Sequence, residues 1–277
     1  MGRIAASDPS ALRARALRYS ARGNYSYAER CLVKALRNLN SAGSRPTPDH
    51  LFLWNDLGMV YKYAGRFNQA ETCYRKALRH SQGCLKGLSR DFFRADLLHN
   101  LGGLEHSRRR FRRGERFARE SLRLRRLVAG PRSLAVASDM AALAALLDGQ
   151  GKFAEAEKLY RQALRVYRRE YGANHPDIAV VLNNLAAVYQ ATGRPKRALA
   201  GYAAALKMKR RKLGRLHPDV GVTLNNLGML HESRGDERAA ARCLEEALHI
   251  LQQSLGASHP STRMVRTNYQ RLRKESA

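Results

Sequence analysis

Apolar residues in this chain are spaced three and four apart, and one such block is repeated along it. Trp54, Leu57-Gly58 and Tyr61 make a first stripe, and Ala70, Tyr74 and Ala77 make a second one nine residues on. That spacing puts each set on one face of a helix, so the block predicts two helices joined by a short turn. Leu57-Gly58 returns as Leu101-Gly102, Leu143-Ala144, Leu185-Ala186 and Leu227-Gly228, in steps of 44, 42, 42 and 42 residues. The small residue of the second helix returns as Ala28, Ala70, Gly114, Ala156, Ala198 and Ala240. Four residues later comes a large partner, at Leu32, Tyr74, Tyr160, Tyr202 and Leu244. Ala118 fills that slot in the third copy, which reads as degenerate.

Two antiparallel helices that approach closely need a small residue on each facing stripe, with large neighbours to fill the grooves beside it. Between the two helices stand Gly23, Gly65, Gly151, Gly193 and Gly235, where a tight turn wants positive φ; Arg109 holds the remaining slot. One hairpin cannot bury its own apolar face, whereas a stack of them buries a continuous core. The connections between hairpins repeat as well. Gly172-Ala173-Asn174-His175-Pro176, Gly214-Arg215-Leu216-His217-Pro218 and Gly256-Ala257-Ser258-His259-Pro260 are three copies of one linker. Each Gly is expected to end a helix and each Pro to open the next, with Asp177 and Asp219 at the positive end of its dipole.

The sequence W-x2-L-G-x2-Y followed by A-x3-Y, as it stands from Trp54 to Tyr74, resembles the tetratricopeptide repeat. The 42-residue period, the Gly-x-x-His-Pro linker and the runs Leu182-Asn183-Asn184-Leu185 and Leu224-Asn225-Asn226-Leu227 are similar to the kinesin-light-chain type of array. The resemblance implies an all-α fold: a right-handed superhelical solenoid of about six helix-turn-helix hairpins plus a C-terminal capping helix. The repeats are expected near 9–42, 51–84, 95–128, 137–170, 179–212 and 221–254, with the cap at 262–274, after a short tail of residues 1–7.

Such arrays bind protein segments along the first helix of each hairpin. With Leu57 as position 7 of that helix, positions 2, 5, 6 and 9 face the groove while 4, 7 and 8 pack inward. Asn55, Asn183 and Asn225 fall at position 5, and Asn100, Asn184, Asn226 and Asn268 at position 6. A carboxamide carries an acceptor and two donor hydrogens, so a row of them suits the backbone of an extended peptide of any sequence. The resemblance implies this role for the asparagines; the alternative is local hydrogen bonding near a helix start. Lys or Arg on successive groove positions would hold a terminal carboxylate, but Asn, Ala, His and Val stand there, which argues against that ligand.

The formal charge of +28 changes the picture only in part. It favours acidic partners, and a coding preference for Arg gives the same signature. The densest run includes Arg108, Arg109, Arg110, Arg112 and Arg113; a second holds Lys207, Lys209, Arg210, Arg211 and Lys212. These runs carry the alternative function, nucleic-acid or polyanion binding, although no aromatic residues are interleaved as single-strand binders require. His175, His217 and His259 recur once per repeat, too far apart for one metal ion, and read as helix-entry residues. Cys31, Cys73 and Cys243 share one position of the second helix and read as packing residues. No phosphate loop, nucleophile elbow or HExxH is present, so no catalytic residue, metal or cofactor is expected. The start of the chain lacks the apolar core of a signal peptide, no apolar run reaches membrane length, and the four cysteines show no CxxC spacing. Together these predict a cytoplasmic protein with free thiols and no membrane partner.

Overall fold

A computed structural model describes residues 8–40 and 45–275; the expected tail of residues 1–7 lies outside them. Thirteen α-helices and no strand occur among the described residues. The chain divides into two compact units, one ending at Gln150 and one beginning at Gly151. The first holds α1 (Pro9–Ala21), α2 (Tyr25–Asn40), α3 (Pro48–Tyr63), α4 (Phe67–Cys84), α5 (Gly87–Ser107), α6 (Phe111–Ala129) and α7 (Leu134–Asp148). The second holds α8 (Phe153–Tyr171), α9 (Pro176–Ala191), α10 (Pro195–Leu213), α11 (Pro218–Glu232), α12 (Glu237–Leu255) and the closing helix α13 (Pro260–Glu275).

The hairpin turns follow the expected geometry. Gly23, Gly65, Gly151, Gly193 and Gly235 have φ between 70° and 77°. In the remaining slot Arg109 is held at φ 59°, the one non-glycine residue with positive φ among the described residues. Helix starts are fixed by side chains. In the linkers the ring nitrogens cap the next helix: Nδ1 of His175, His217 and His259 accepts the backbone N–H of Asp177, Asp219 and Ser261 at 3.3, 3.2 and 3.1 Å. Pro176 and Pro218 then take the first helical turn, where a missing N–H costs nothing. The linker before α5 has no such copy, and α5 instead begins at Gly87, eight residues ahead of the expected repeat boundary.

Packing inside the hairpins follows the small-large code. A Cβ on Gly58 would stand 2.5 Å from the Tyr74 ring, so the glycine is what lets α3 and α4 close over that fully buried side chain. In the degenerate third hairpin, where no aromatic fills the gap at Ala118, a Cβ added to Gly102 would stand at an ordinary 3.6 Å from the Ala118 methyl. Gly114 lies under Leu146 of α7, so the gap is closed from the neighbouring hairpin. In the second unit Gly201 faces Ala186, and Gly228 faces Leu244. Burying a large side chain such as Leu244 is worth about 1.5–3 kcal/mol. Tyr74 is less favourable than it looks, because its buried hydroxyl has no partner among the described residues.

Candidate ligand-binding face of the first helices

The position 5 and position 6 residues of successive first helices meet. In the second unit Asn226 Nδ2 donates to Asn183 Oδ1 at 3.4 Å, and Asn268 Nδ2 to Asn225 Oδ1 at 2.9 Å. Within each helix Asn183 donates to Asn184 Oδ1 at 3.1 Å and Asn225 to Asn226 Oδ1 at 3.4 Å. Five carboxamides thus form one directed chain from Asn268 through Asn225, Asn226 and Asn183 to Asn184. Each member keeps at least one N–H outside the chain, but Asn183 and Asn225 are buried, so the half-buried Asn184, Asn226 and Asn268 are the ones placed to present theirs, and Asn268 keeps its oxygen as well.

The same contact recurs in the first unit with other chemistry. Asn100 Nδ2 donates to Asn55 Oδ1 at 2.8 Å, and Arg13 Nε to Asp56 Oδ2 at 2.6 Å. Burial pushes the Asp56 carboxyl above its ordinary range even with the Arg13 guanidinium beside it. Where Ala142 supplies no polar group at position 6, His99 Nδ1 turns to the buried Asp139 at 2.7 Å. Asp139 also accepts from Ser121 at 2.9 Å and from Arg125 at 3.4 Å, and Arg125 reaches on to Asp96 at 2.7 Å.

Not all the asparagines expected at the groove surface lie there. Asn100, Asn183 and Asn225 are 8%, 5% and 4% exposed, because each sits in the seam between two first helices and bonds across it. Asn55, Asn184, Asn226 and Asn268 are half-buried. Asp56, also a groove position by numbering, is buried. Beside the amides of the second unit run the position 2 residues: Val180 and Met264, 40% and 46% exposed, with the half-buried Val222 between them in sequence. The sequence reading missed the seam contact itself. Its signal is a polar pair 43 residues apart, as in Arg13–Asp56, Asn183–Asn226 and Asn225–Asn268.

The arginine run is not a uniform cationic face. Arg125 is buried. Arg108 is held by Glu71 and Glu105, and Arg113 by Glu71 at 3.0 Å and Glu105 at 3.6 Å. The Arg108 guanidinium, with Arg75 beside it, holds the Glu71 carboxyl at about 2. Arg109, Arg110 and Arg112 are exposed and form no ion pair among the described residues. In the second run Lys209 is buried, donating to the Asp219 carbonyl and the Thr223 hydroxyl, and burial pulls its ammonium below the usual range. No group of three metal-ligating side chains gathers among the described residues. None of the described helices is long and apolar enough to cross a membrane.

Tetratricopeptide repeat profiles match residues 93–169, 144–211 and 177–253, and a further one matches residues 52–84. The chain belongs to the tetratricopeptide repeat family. No curated protein matches it in sequence. Among solved structures it is similar to BtubC (BKLC) from P. vanneervenii, with 25% identity and a TM-score of 0.58 over 85% of this chain and 92% of that one. A kinesin light chain-type protein of nearly identical TPR-like repeats from Podosopora anserina aligns at 17% identity and TM-score 0.51, over 74% of this chain and 96% of that one. Rap protein complexed with Competence and Sporulation Factor aligns at 13% identity and TM-score 0.65, over 96% of this chain and 75% of that one.

Proposed function

We propose that the chain is a protein-interaction scaffold, and that the first-helix face of α9, α11 and α13 takes an extended peptide or protein segment. The observation that carries the reading is the pairing of two rows on that face. Asn184, Asn226 and Asn268 offer donors already oriented by their neighbours, and Val180, Val222 and Met264 offer apolar contact alongside. Packed helices lie about 8–10 Å apart, and an extended strand rises about 3.3 Å per residue, so roughly three ligand residues span one repeat. Each repeat can then meet a backbone carbonyl with an amide and a side chain with Val or Met. Preorganised donors also lose little freedom on binding. The Rap protein, complexed with Competence and Sporulation Factor, is a fold neighbour that holds a partner. The formal charge of +28 favours acidic ligands through faster encounter.

Selection of peptides from a displayed random library tests this directly. Selected peptides should bind the wild type and lose most of their affinity for an Asn184→Ala, Asn226→Ala double variant at moderate salt. If affinity survives that change but vanishes in an Arg109→Glu, Arg110→Glu, Arg112→Glu variant, the amide face is not the binding site.

A further inference from the structure

Within the first unit, aromatic and cationic side chains that are scattered in sequence come together along the edge formed by the hairpin turns. The Tyr19 and Tyr27 rings lie 4.1 Å apart, and the Arg15 and Arg30 guanidinium groups stand 5.5 and 5.1 Å from the Tyr27 centroid. Tyr25, at the start of α2, stacks on Tyr63, at the end of α3, with ring centroids 5.9 Å apart and planes 13° from parallel. Lys62 Nζ sits 4.3 Å from the Tyr63 centroid and also reaches α5, 3.5 Å from where a Cβ on Gly103 would stand. Crowding, and then the Lys62 and Arg109 cations, hold His106 at the end of α5 below its usual range, and the His106 ring meets Phe111 at 5.5 Å. Rings and cations therefore continue from the first turn, through the second, to the third.

This edge is open and its charge is uncompensated. Tyr63 is 49% exposed. Arg22, Arg109, Arg110 and Arg112 are exposed, and neither they nor Lys62 form an ion pair among the described residues. The acids nearest the turns are already engaged, Glu29 by Arg66 and Glu105 by Arg108. Rings and unpaired cations stand side by side along this edge. A single-stranded nucleic acid needs both, since bases stack on rings of any sequence context while the cations follow the phosphates.

We infer that the turn edge of α1 to α6 is a stacking platform for single-stranded nucleic acid, centred on Tyr63. It stands apart from the peptide-binding face proposed for the second unit, so either reading can fail without the other.

The experiment uses the full chain and a fluorescent oligothymidylate of about 12 nucleotides, within the site sizes of aromatic-platform binders. Competitors are a duplex of matching charge, heparin and polyglutamate. The single strand should bind in preference to all three at roughly physiological salt. A 2-aminopurine placed in the oligonucleotide should change in fluorescence as it stacks. Tyr63→Ala should weaken binding about fivefold or more, and Tyr63→Phe should restore it, because the ring and not the hydroxyl stacks. Arg109→Glu with Arg112→Glu, both on exposed side chains, should weaken binding and flatten its salt dependence, and serves if Tyr63→Ala fails to fold. Equal binding of duplex or heparin, or an unchanged affinity in Tyr63→Ala, would reduce the edge to plain electrostatics and overturn the inference. Preference for polyglutamate would overturn it in favour of an acidic protein partner.

Discussion

Replacing Arg109 by glycine should stabilise the protein, although it deletes a side chain. Arg109 occupies the turn position that glycine fills in five sister hairpins, and its φ of 59° matches theirs of 70–77°. An L-residue in that left-handed region gives up about 1–2 kcal/mol to the clash of its Cβ with the following carbonyl. Glycine removes the clash but adds freedom to the unfolded chain, at a cost of about 0.5–1 kcal/mol. The net gain is then roughly 0.5–1 kcal/mol. Removing a cation from a crowded basic turn also helps, and Arg109→Ala measures that contribution because it loses the charge and keeps the Cβ. The difference between the Gly and Ala variants isolates the backbone. It should be about 1 kcal/mol in favour of Gly, or roughly 2–4 °C in the melting temperature for a unit of this size. Urea titration followed by far-ultraviolet circular dichroism reads it. Gly235→Ala, at φ 77° with nothing within 4 Å of the added Cβ, is the mirror test and should lose a similar amount. Equal stability of the Gly and Ala variants at position 109 would refute the reasoning.

Four further outcomes follow from the packing and the charges. Gly58→Ala should destabilise by about 1–3 kcal/mol, since the buried Tyr74 ring cannot move away, whereas Gly102→Ala, with its nearest neighbour at 3.5 Å, should be neutral or better; thermal unfolding separates them. Tyr74→Phe should raise stability by about 1 kcal/mol, because it removes a buried hydroxyl that has no partner among the described residues. Asn225→Ala should cost about 1–3 kcal/mol, since it strips partners from Asn226 and Asn268, and Asn184→Ala should also lower the urea midpoint, because it takes the acceptor from the buried Asn183 amide. The carboxyl of Glu71 lies at about 2, below its ordinary 4.5, so its contribution is complete above pH 4.5 and is lost as the pH falls toward 2. Glu71→Gln should flatten the stability profile across that window, as measured by urea midpoints at stepped pH.

Much of the fold was legible because the repeat reports packing directly. A small residue at Gly58 facing a large one at Tyr74, and a glycine at each turn, are local requirements that a sequence states openly. Even the exception at Arg109 was readable, since the turn geometry does not change when the residue does. The candidate site was less legible, for a physical reason. Which amides face a ligand depends on contacts between successive first helices, and a position count along one helix cannot show that Asn183 and Asn225 are spent on their neighbours. The arginine run misled in a similar way. Its partners Glu71 and Glu105 come from α4 and α5, so contiguous charge in sequence became a set of pairs in space. Conversely, the aromatic and cationic edge joins residues from Tyr19 to Phe111 and left no mark in any short window.

A photo-reactive side chain placed at Met264 or Val180, on the exposed apolar row beside the amides, and a second placed at the exposed Arg242 of α12 give the most direct test of peptide binding on the first-helix face. With a library-selected peptide bound, the expected result is covalent capture at Met264 and Val180 and none at Arg242. Capture at Arg242 with none at the other two positions would contradict it.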